Sequence, residues 1–160
     1  MKFVADGMLG RFSRWLRMLG CDTKYYRDAS DDTLLDIAKE EDRTLLTRDA
    51  ELFKRANLRM LRTLFVEGKS EAEQLANFAR QFNFKLEIDM SISLCPVCGS
   101  PLHSIERDAV LDKVPSGTLK NYNAFWICDT CGKVYWQGAH WKKINETLTK
   151  TKMLIEKNVT

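Results

Sequence analysis

Hydrophobic residues along the first half of the chain alternate between two spacings. Short runs rich in branched and apolar residues, as β-strands prefer, are separated by stretches whose apolar residues recur every three to four positions, as on one face of a helix. The predicted strands cover residues 2–5, 23–26, 43–47 and 60–66. The predicted helices cover residues 8–19, 32–41, 50–56 and 70–82. Strand and helix in regular alternation predict an α/β fold with a mostly parallel sheet and helices on its faces.

This alternation stops near residue 86. A "VPSG" turn and short aromatic stretches, "NAFWIC" and "KVYW", follow and predict a small β-rich unit. The last segment has only a thin apolar stripe and is predicted as a helix with frayed ends. That stripe consists of Ile144, Leu148 and Ile155. We therefore divide the chain into residues 1–88, residues 89–143 and a C-terminal tail, residues 144–160.

The composition is that of a globular protein. Of the 160 residues, 44% are hydrophobic and 29% are charged, which indicates a soluble chain. No apolar run approaches the roughly 18–20 residues of a membrane helix, and the start "MKFVADG" lacks the apolar core of a signal peptide. We therefore expect a cytoplasmic protein with no membrane partner. The net charge of +3 permits a polyanionic partner but does not require one.

An aspartate follows each of the first three predicted strands: Asp6, Asp28 and Asp49. The carboxyl ends of parallel strands meet at one edge of a sheet, where ligands bind, so these carboxylates converge if the strands are neighbours. Asp31 and Asp32, before the second helix, extend the group. Clustered carboxylates repel one another unless a cation offsets their charge. Mg²⁺ and Mn²⁺ prefer oxygen ligands, and a carboxylate-held pair of such ions can activate water for phosphodiester cleavage.

Each of these aspartates also has an ordinary structural explanation. Asp49 precedes a helix and is a candidate N-cap, Asp31 is an even better one, and Asp28 suits a turn. Asp6 is harder to explain in this way, because it ends a buried strand and precedes Gly7. The recurrence of aspartate at the same relative position after three strands favours the functional interpretation.

Several arginines suit a phosphate ligand near the same edge. The N-terminus of the first helix and Arg11 point toward the edge that carries Asp6, and both helix N-termini and guanidinium groups bind phosphate oxygens. Arg14 and Arg48 are further candidates for substrate binding. Arg17 is assigned to a solvated helix face.

Four of the five cysteines form two knuckles of the form Cys-x-x-Cys-Gly. In a chain without an export signal, such pairs favour metal ligation over disulfides. Two knuckles supply a closed tetrahedral site for a structural zinc ion. A thiol redox pair is the alternative, but a glycine after each of two knuckles argues against it. Cys21 is predicted to be a small buried hydrophobe. The predicted zinc ligands are Cys95, Cys98, Cys128 and Cys131.

Aromatic and basic residues are dense around the second knuckle. Such a surface could stack nucleobases and hold phosphates. The alternative is that the rings pack the small unit or dock it onto the first domain, which we expect for Trp126 and Tyr135. The question stays open for His140 and Trp141. The group consists of Phe125, Trp126, Lys133, Tyr135, Trp136, His140, Trp141, Lys142 and Lys143.

Taken together, these segments resemble the PIN-like ribonuclease family of the Mut-seven C-terminal type. The similarity rests on "VADGMLGRFSRWLRMLGCDT", "RDASDDTLLDIA", "LLTRDAELF", "CPVCG" and "CDTCGKVYWQGAHW", and extends to about residue 143. It implies a PIN-like three-layer α/β domain with an acidic pocket that holds Mg²⁺ or Mn²⁺ and cuts single-stranded or structured RNA. It also implies a zinc ribbon after this domain.

Two features depart from the wider PIN pattern. Many PIN domains carry a glutamate on a central helix, for which Glu40 and Glu41 are both candidates. A related group has an acid directly after the first aspartate, where this chain has Gly7. The resemblance places the acidic motif on Asp6, Asp28, Asp31 and Asp49.

The sequence thus predicts a divalent-metal-dependent ribonuclease, an endonuclease, whose zinc ribbon binds RNA or a ribonucleoprotein. The second hypothesis is a non-catalytic RNA-binding or scaffold protein, in which the aspartates are helix caps and the ribbon carries the function. RNA binding without cleavage under any metal distinguishes the second hypothesis from the first.

Overall fold

A four-stranded parallel sheet forms the centre of the first part of the chain in the computed structural model, which describes residues 1–158. The strands are β1 (Lys2–Ala5), β2 (Asp22–Tyr25), β3 (Thr44–Thr47) and β4 (Thr63–Phe65), in the spatial order β2-β1-β3-β4. The helices between and after them are α1 (Gly10–Met18), α2 (Asp31–Glu40), α3 (Ala50–Leu58) and α4 (Glu71–Phe82). All strand pairs in this sheet are parallel, which confirms the predicted α/β fold.

The fourth strand begins three residues later than predicted because of how α3 ends. Met60 has a left-handed backbone conformation with φ of 55°, which a strand residue cannot adopt. Its amide donates to the carbonyl of Asn57, and the next amide, of Leu61, donates to the carbonyl of Ala56. This pair of bonds is the Schellman motif that closes many helices. It lengthens α3 beyond the predicted residue 56 and delays β4.

Alternate residues of each strand face opposite sides of the sheet and enter two separate cores. Phe3 and Ala5 of β1 pack with the buried faces of α1 and α4, whereas Val4 packs with those of α2 and α3. In β3, Leu46 belongs to the first core and Leu45 to the second. The result is three layers, with helices on both faces of the sheet.

The chain reverses its direction across the sheet at β1. It passes from β1 to β2 on one side and then crosses to β3 on the other. Such a switch point leaves a crevice outside the carboxyl ends of the strands. Two loops meet there, because a Cβ added to Gly7 would lie 2.4 Å from the carbonyl oxygen of Arg27. This close approach explains why glycine, and no acid, follows Asp6.

A separate antiparallel sheet follows. It consists of β5 (Leu102–Ile105), β6 (Phe125–Cys128) and β7 (Val134–Tyr135), in that order. The short helix α5 (Ser116–Asn121) lies between β5 and β6 in the chain. Val110, Val114 and Phe125 are the buried residues of its own small core. The predicted β-rich unit is thereby confirmed.

The last helix, α6 (Ala139–Lys157), packs along α4 and begins before the predicted boundary at residues 143/144. Its thin stripe suffices because Leu148 is buried in the first core, with Ile144 and Ile155 against it. A guanidinium nitrogen of Arg80 in α4 donates to the carbonyl of Leu154 at 2.8 Å and links α4 to the C-terminal part of α6. Residues 159–160 of the predicted tail lie outside the described residues. No helix within residues 1–158 is long and apolar enough to cross a membrane.

Candidate functional site

Asp6 lies at the switch point, directly after β1, and only 5% of its surface is exposed. One carboxylate oxygen accepts a hydrogen bond from the amide of Met8 at 2.9 Å. The other accepts from the amide of Arg48 at 2.9 Å and from the hydroxyl of Thr47. Two of these three hydrogen bonds join Asp6 to the end of β3, and the third holds the turn that follows β1.

Asp49 is the N-cap of α3 and is also linked to Asp6 at the sheet edge. Its Oδ1 accepts from the amides of Glu51 at 2.8 Å and Leu52 at 2.9 Å, so it is the N-cap of α3. Its own amide donates to the hydroxyl oxygen of Thr47 at 2.9 Å, and that hydroxyl donates to Asp6. One threonine thus links both aspartates at the sheet edge. The Oδ2 of Asp49 accepts no hydrogen bond from the described part of the chain.

Asp28 and Asp31 differ in their surroundings. Asp28 lies in the exposed loop after β2, and within residues 1–158 its carboxylate has no hydrogen-bond or ion-pair partner. Asp31 is the first residue of α2, where Ser30 is the N-cap, and it pairs with Arg55 of α3 at 3.3 Å. Asp32 pairs with the same guanidinium. The carboxylates at the start of α2 are therefore partly neutralised by α3.

Glu40 and Glu41 lie at the wrong edge for the acidic motif. They end α2, which runs back across the sheet, so they lie near the amino ends of the strands. Glu41 pairs with Lys24 at 2.6 Å and with Arg43 at 2.7 Å, and these bonds lower its pKa. Neither glutamate can join Asp6, because the parallel topology separates the two edges by the length of a strand.

The aspartates share an edge but do not form a closed cation site. Among residues 1–158, the cysteine quartet is the one group of three or more metal-type side chains whose ligand atoms lie within 4.8 Å of one another. The oxygens of Asp6 are already hydrogen-bonded to protein donors. The donor chemistry suits Mg²⁺ or Mn²⁺, which proteins often bind through one or two carboxylates and several waters. In this conformation an ion at the edge would have at most two of these carboxylates as direct ligands.

A cationic cleft of about 920 Å³ begins at Gly7, beside this edge. Its walls come from the start of α1, the loops after β2 and β4, the first cysteine knuckle and α6. Two predicted arginines, Arg11 and Arg14, line it and are exposed. Three further cations line the cleft, and the sequence pattern does not single them out because they come from separate elements: Arg27, Lys69 and Lys150.

Two side chains near the cleft have unexpected roles. Arg48 does not line it, since its guanidinium donates to the carbonyls of Val66 at 3.0 Å and Gly68 at 2.7 Å. Glu71 is the one carboxylate in the lining and accepts a hydrogen bond from the indole of Trp15 at 2.9 Å. Glu71 begins α4, six residues after the end of β4, so the rule that located an aspartate just after each of the first three strands does not locate it.

Arg17 is buried rather than solvated, which corrects the sequence assignment. Only 6% of its surface is exposed. Its Nε donates to the carbonyl of Thr23 at 2.9 Å, and its Nη1 donates to the carbonyls of Pro96 and Val97 at 3.1 Å each. Burial lowers the pKa of Arg17, and Cys98 and Cys95 partly offset that effect. Arg17 therefore fastens the first cysteine knuckle to the sheet domain.

Replacing Arg17 with Met is expected to lower the free energy of unfolding by about 3 kcal/mol, because three carbonyls lose a charged donor. The urea midpoint measures this change. Arg14→Met, at an exposed position of the same helix, is the matched control and should change the midpoint little. Equal midpoints for the two variants would contradict the fastening role.

The four predicted zinc ligands come together. The sulfurs of Cys95 and Cys131 are 3.7 Å apart, those of Cys98 and Cys128 are 3.4 Å apart, and all four lie within 4.8 Å of one another. A zinc ion with Zn–S bonds of about 2.3 Å holds its sulfurs roughly 3.8 Å apart. The quartet can therefore hold a zinc ion with little movement.

The two knuckles have the same backbone geometry. The amides of Gly99 and Gly132 each donate to the carbonyl of the first cysteine of their knuckle at 2.8 Å. Both glycines have positive φ, 79° and 74°, which side-chain-bearing residues rarely adopt. The left-handed backbone therefore accounts for the glycine that follows each knuckle.

The thiols of the quartet differ in acidity. Burial raises the pKa of Cys128 to about 12. At Cys98 burial acts in the same direction, but hydrogen bonds with Ser100 prevail and lower the pKa to about 6. Because zinc binds thiolates, binding releases protons and weakens as the pH falls. Cys21 lies apart and is 3% exposed, as predicted, and burial raises its pKa to about 11.

Comparisons with known proteins point to a single family. A search of the curated proteins and a search of the solved structures each gave no match. The family model described as the Mut7-C RNAse domain matches residues 1–148 of the 160. The family that the sequence motifs resemble is thus confirmed, and the chain belongs to the Mut7-C RNAse domain family.

Proposed function

We propose that this protein is an endonucleolytic ribonuclease that depends on Mg²⁺ or Mn²⁺. The observation that carries the proposal is the cationic cleft, which begins at Gly7, next to the edge formed by Asp6 and Asp49. Membership of a family of ribonuclease domains supports it. The three layers of residues 1–88 are consistent with a PIN-like domain, and residues 89–143 with a zinc ribbon.

The charge of the cleft supports RNA as the substrate. Arg11, Arg14, Arg27, Lys69 and Lys150 face a volume large enough for a strand, with Glu71 as the one carboxylate in the lining. Phosphate oxygens bind such guanidinium and ammonium groups. None of the four proposed catalytic aspartates lines the cleft, but the cleft reaches the sheet edge at Gly7, the residue after Asp6. We propose that a strand held there extends past Asp6. The aspartates proposed to act on it are Asp6, Asp28, Asp31 and Asp49.

The proposed divalent cation would be held by carboxylates at this edge. Asp28 and Asp49 have carboxylate oxygens without a partner among residues 1–158. When bound, the cation would offset the repulsion among these acids and stabilise charge on a phosphate. The proposed ribbon would bind RNA, or a ribonucleoprotein, on the far side of the same cleft, where Pro96 and Val97 form its wall.

A cleavage assay tests the proposal. Labelled single-stranded and hairpin RNA is incubated with the protein and Mn²⁺, Mg²⁺ or EDTA. We expect cutting within the strand with either metal and none with EDTA. Because EDTA can also remove zinc, activity should return when Mn²⁺ is added in excess, with the zinc content measured in parallel. No cleavage under any of these conditions would reject the proposal.

Lys150→Ala is expected to weaken single-stranded RNA binding several-fold and to reduce the slope of log affinity against log salt by about 0.7, the value for one phosphate contact on a single strand. Fluorescence anisotropy over a range of salt concentrations measures both. Lys39→Ala, in the last turn of α2 on the opposite face of the sheet, is the control. If the slope of log affinity against log salt is the same for both variants and the wild type, Lys150 does not contact a phosphate of the RNA.

One observation favours a second candidate function, a non-catalytic RNA-binding or scaffold protein. Asp6 and Asp49 already serve as hydrogen-bond acceptors for the backbone, and Asp31 is paired with Arg55. These structural contacts alone would account for an aspartate at each of the three positions. RNA binding with an intact cleft and no cleavage under any metal would favour this alternative.

A further inference from the structure

An aromatic cavity of about 490 Å³ lies between the antiparallel sheet, α1 and the start of α6. Tyr135, Trp136, His140 and Trp141 line it, and Met18 lies on the side of α1. Its lining is mostly apolar, unlike that of the cationic cleft. Its volume falls in the range of small-ligand pockets, roughly 300–1,000 Å³.

The cavity adjoins the cationic cleft. A further pocket of about 450 Å³ shares His140 and Met18 with the cavity, and Arg11 and Glu71 with the cleft. Arg14 lines all three spaces. A ligand that carries phosphates along the cleft can therefore place an attached group in the cavity, with Arg14 at the junction.

Two rings of the cavity are held in place by contacts within the ribbon, whereas two indole N–H groups of its lining lack an acceptor among residues 1–158. Trp136 packs on Gly138, where an added Cβ would lie 2.5 Å from the indole nitrogen, and it contacts the ring of Phe125. The hydroxyl of Tyr135 is engaged with the sulfur of Cys95 at 3.1 Å. Within residues 1–158, no acceptor bonds the indole N–H of Trp136 or Trp141. Half-buried indoles of this kind usually find a partner, so the ligand is expected to carry hydrogen-bond acceptors.

We propose that the aromatic cavity binds a nucleobase of the RNA strand whose phosphates lie in the cationic cleft. This inference rests on the proposed function and identifies a base subsite for it. A nucleobase has the flat π face that stacks on such rings and ring and carbonyl acceptors for the indole N–H groups. Its phosphate carries the charge that the neighbouring arginines attract. An apolar peptide side chain or an acyl chain has neither the acceptors nor the charge.

The experiment compares two strands of equal length and charge: a single-stranded oligoribonucleotide and one that is abasic throughout. Binding is measured by anisotropy without added Mg²⁺ or Mn²⁺ and without chelator, so that the zinc ligands are undisturbed and cleavage is not needed. We expect the base-bearing strand to bind on the order of 10-fold more tightly to the wild type. Trp141→Leu keeps apolar bulk but removes the ring. This variant should lose most of the ratio between the affinities for the base-bearing strand and the abasic strand.

Two controls distinguish base stacking from other effects. Trp126→Leu changes a tryptophan of the same unit that does not line the aromatic cavity but a different one, on the side of Phe84 and Ile92, and should keep the ratio. Lys150→Ala should weaken the binding of both strands equally, because Lys150 lines the cleft proposed to hold the phosphates. A Trp141→Phe variant, which keeps an aromatic ring, should restore most of the ratio.

The outcomes separate this inference from the proposed function. If the protein cleaves RNA but binds both strands equally, or if Trp141→Leu keeps the full ratio, the base subsite is rejected and the ribonuclease proposal stands. If Trp141→Leu loses the preference for the base-bearing strand while neither the wild type nor any variant cleaves RNA, the base subsite is supported. The non-catalytic scaffold alternative is then favoured over the ribonuclease proposal. If neither strand binds at all, the subsite is rejected together with the RNA-binding cleft.

Discussion

Asp49→Asn is expected to lower the rate of RNA cleavage by about 100-fold or more while leaving the fold intact. Asn is as good an N-cap as Asp, so its side-chain oxygen can still accept from the amides of Glu51 and Leu52. Only the negative charge is lost, which costs α3 at most about 1 kcal/mol of dipole interaction. Removal of one group that stabilises charge in a transition state commonly costs about 100- to 1,000-fold in rate. Initial rates of cleavage and thermal melts of the same preparations measure the two effects separately.

Asp42→Asn is the matched control for this prediction. Asp42 lies at the opposite edge of the sheet, pairs with Arg62 and has a positive φ of 53°, a conformation that Asn tolerates well. The Asp42→Asn variant should cleave RNA at the wild-type rate. If Asp49→Asn also cleaves at the wild-type rate, Asp49 has no catalytic role. Asp6→Asn is less informative, because an amide nitrogen would confront the donors of Met8 or of Thr47 and Arg48 and would weaken the fold as well.

Cys128→Ser is expected to abolish zinc binding and to unfold the antiparallel sheet. We expect about one zinc ion per chain in the wild type, because the sulfurs already have nearly tetrahedral spacing. Structural zinc contributes on the order of 10 kcal/mol in small domains, far more than the short core around Val110, Val114 and Phe125 can supply. Metal analysis of the purified protein gives the stoichiometry, and limited proteolysis shows where the chain has opened.

Loss of zinc should also affect the RNA cleft. Arg17 binds the carbonyls of Pro96 and Val97, and these residues form part of the wall of the cleft. An unfolded knuckle would remove that wall and leave Arg17 without two acceptors, so RNA affinity should fall together with the zinc content. Cys21→Ala, at a buried cysteine outside the quartet, is the control and should retain both. Full zinc content in Cys128→Ser would overturn the assignment of the site.

Features that depend on neighbouring positions in the chain could be determined from the sequence. The alternation of strand and helix determined the parallel sheet, because the period of apolar residues is a local property of each element. The Cys-x-x-Cys-Gly spacing determined the quartet, since two residues between the cysteines and a following glycine allow both sulfurs of a knuckle to reach one ion. The positions of Asp6 and Asp49 at strand ends followed from the same elements.

Features that depend on distant positions were decided by the tertiary structure alone. The pattern of α1 cannot show that Arg17 meets carbonyls about 80 residues away, nor that Arg48 is engaged with the loop before α4. The exclusion of Glu41 needed the direction of α2 across the sheet. Lys150 joined the cleft only because α6 packs on α4. A side chain's role is set by the atoms around it, and contacts between distant segments leave no periodic signal in the sequence that makes them.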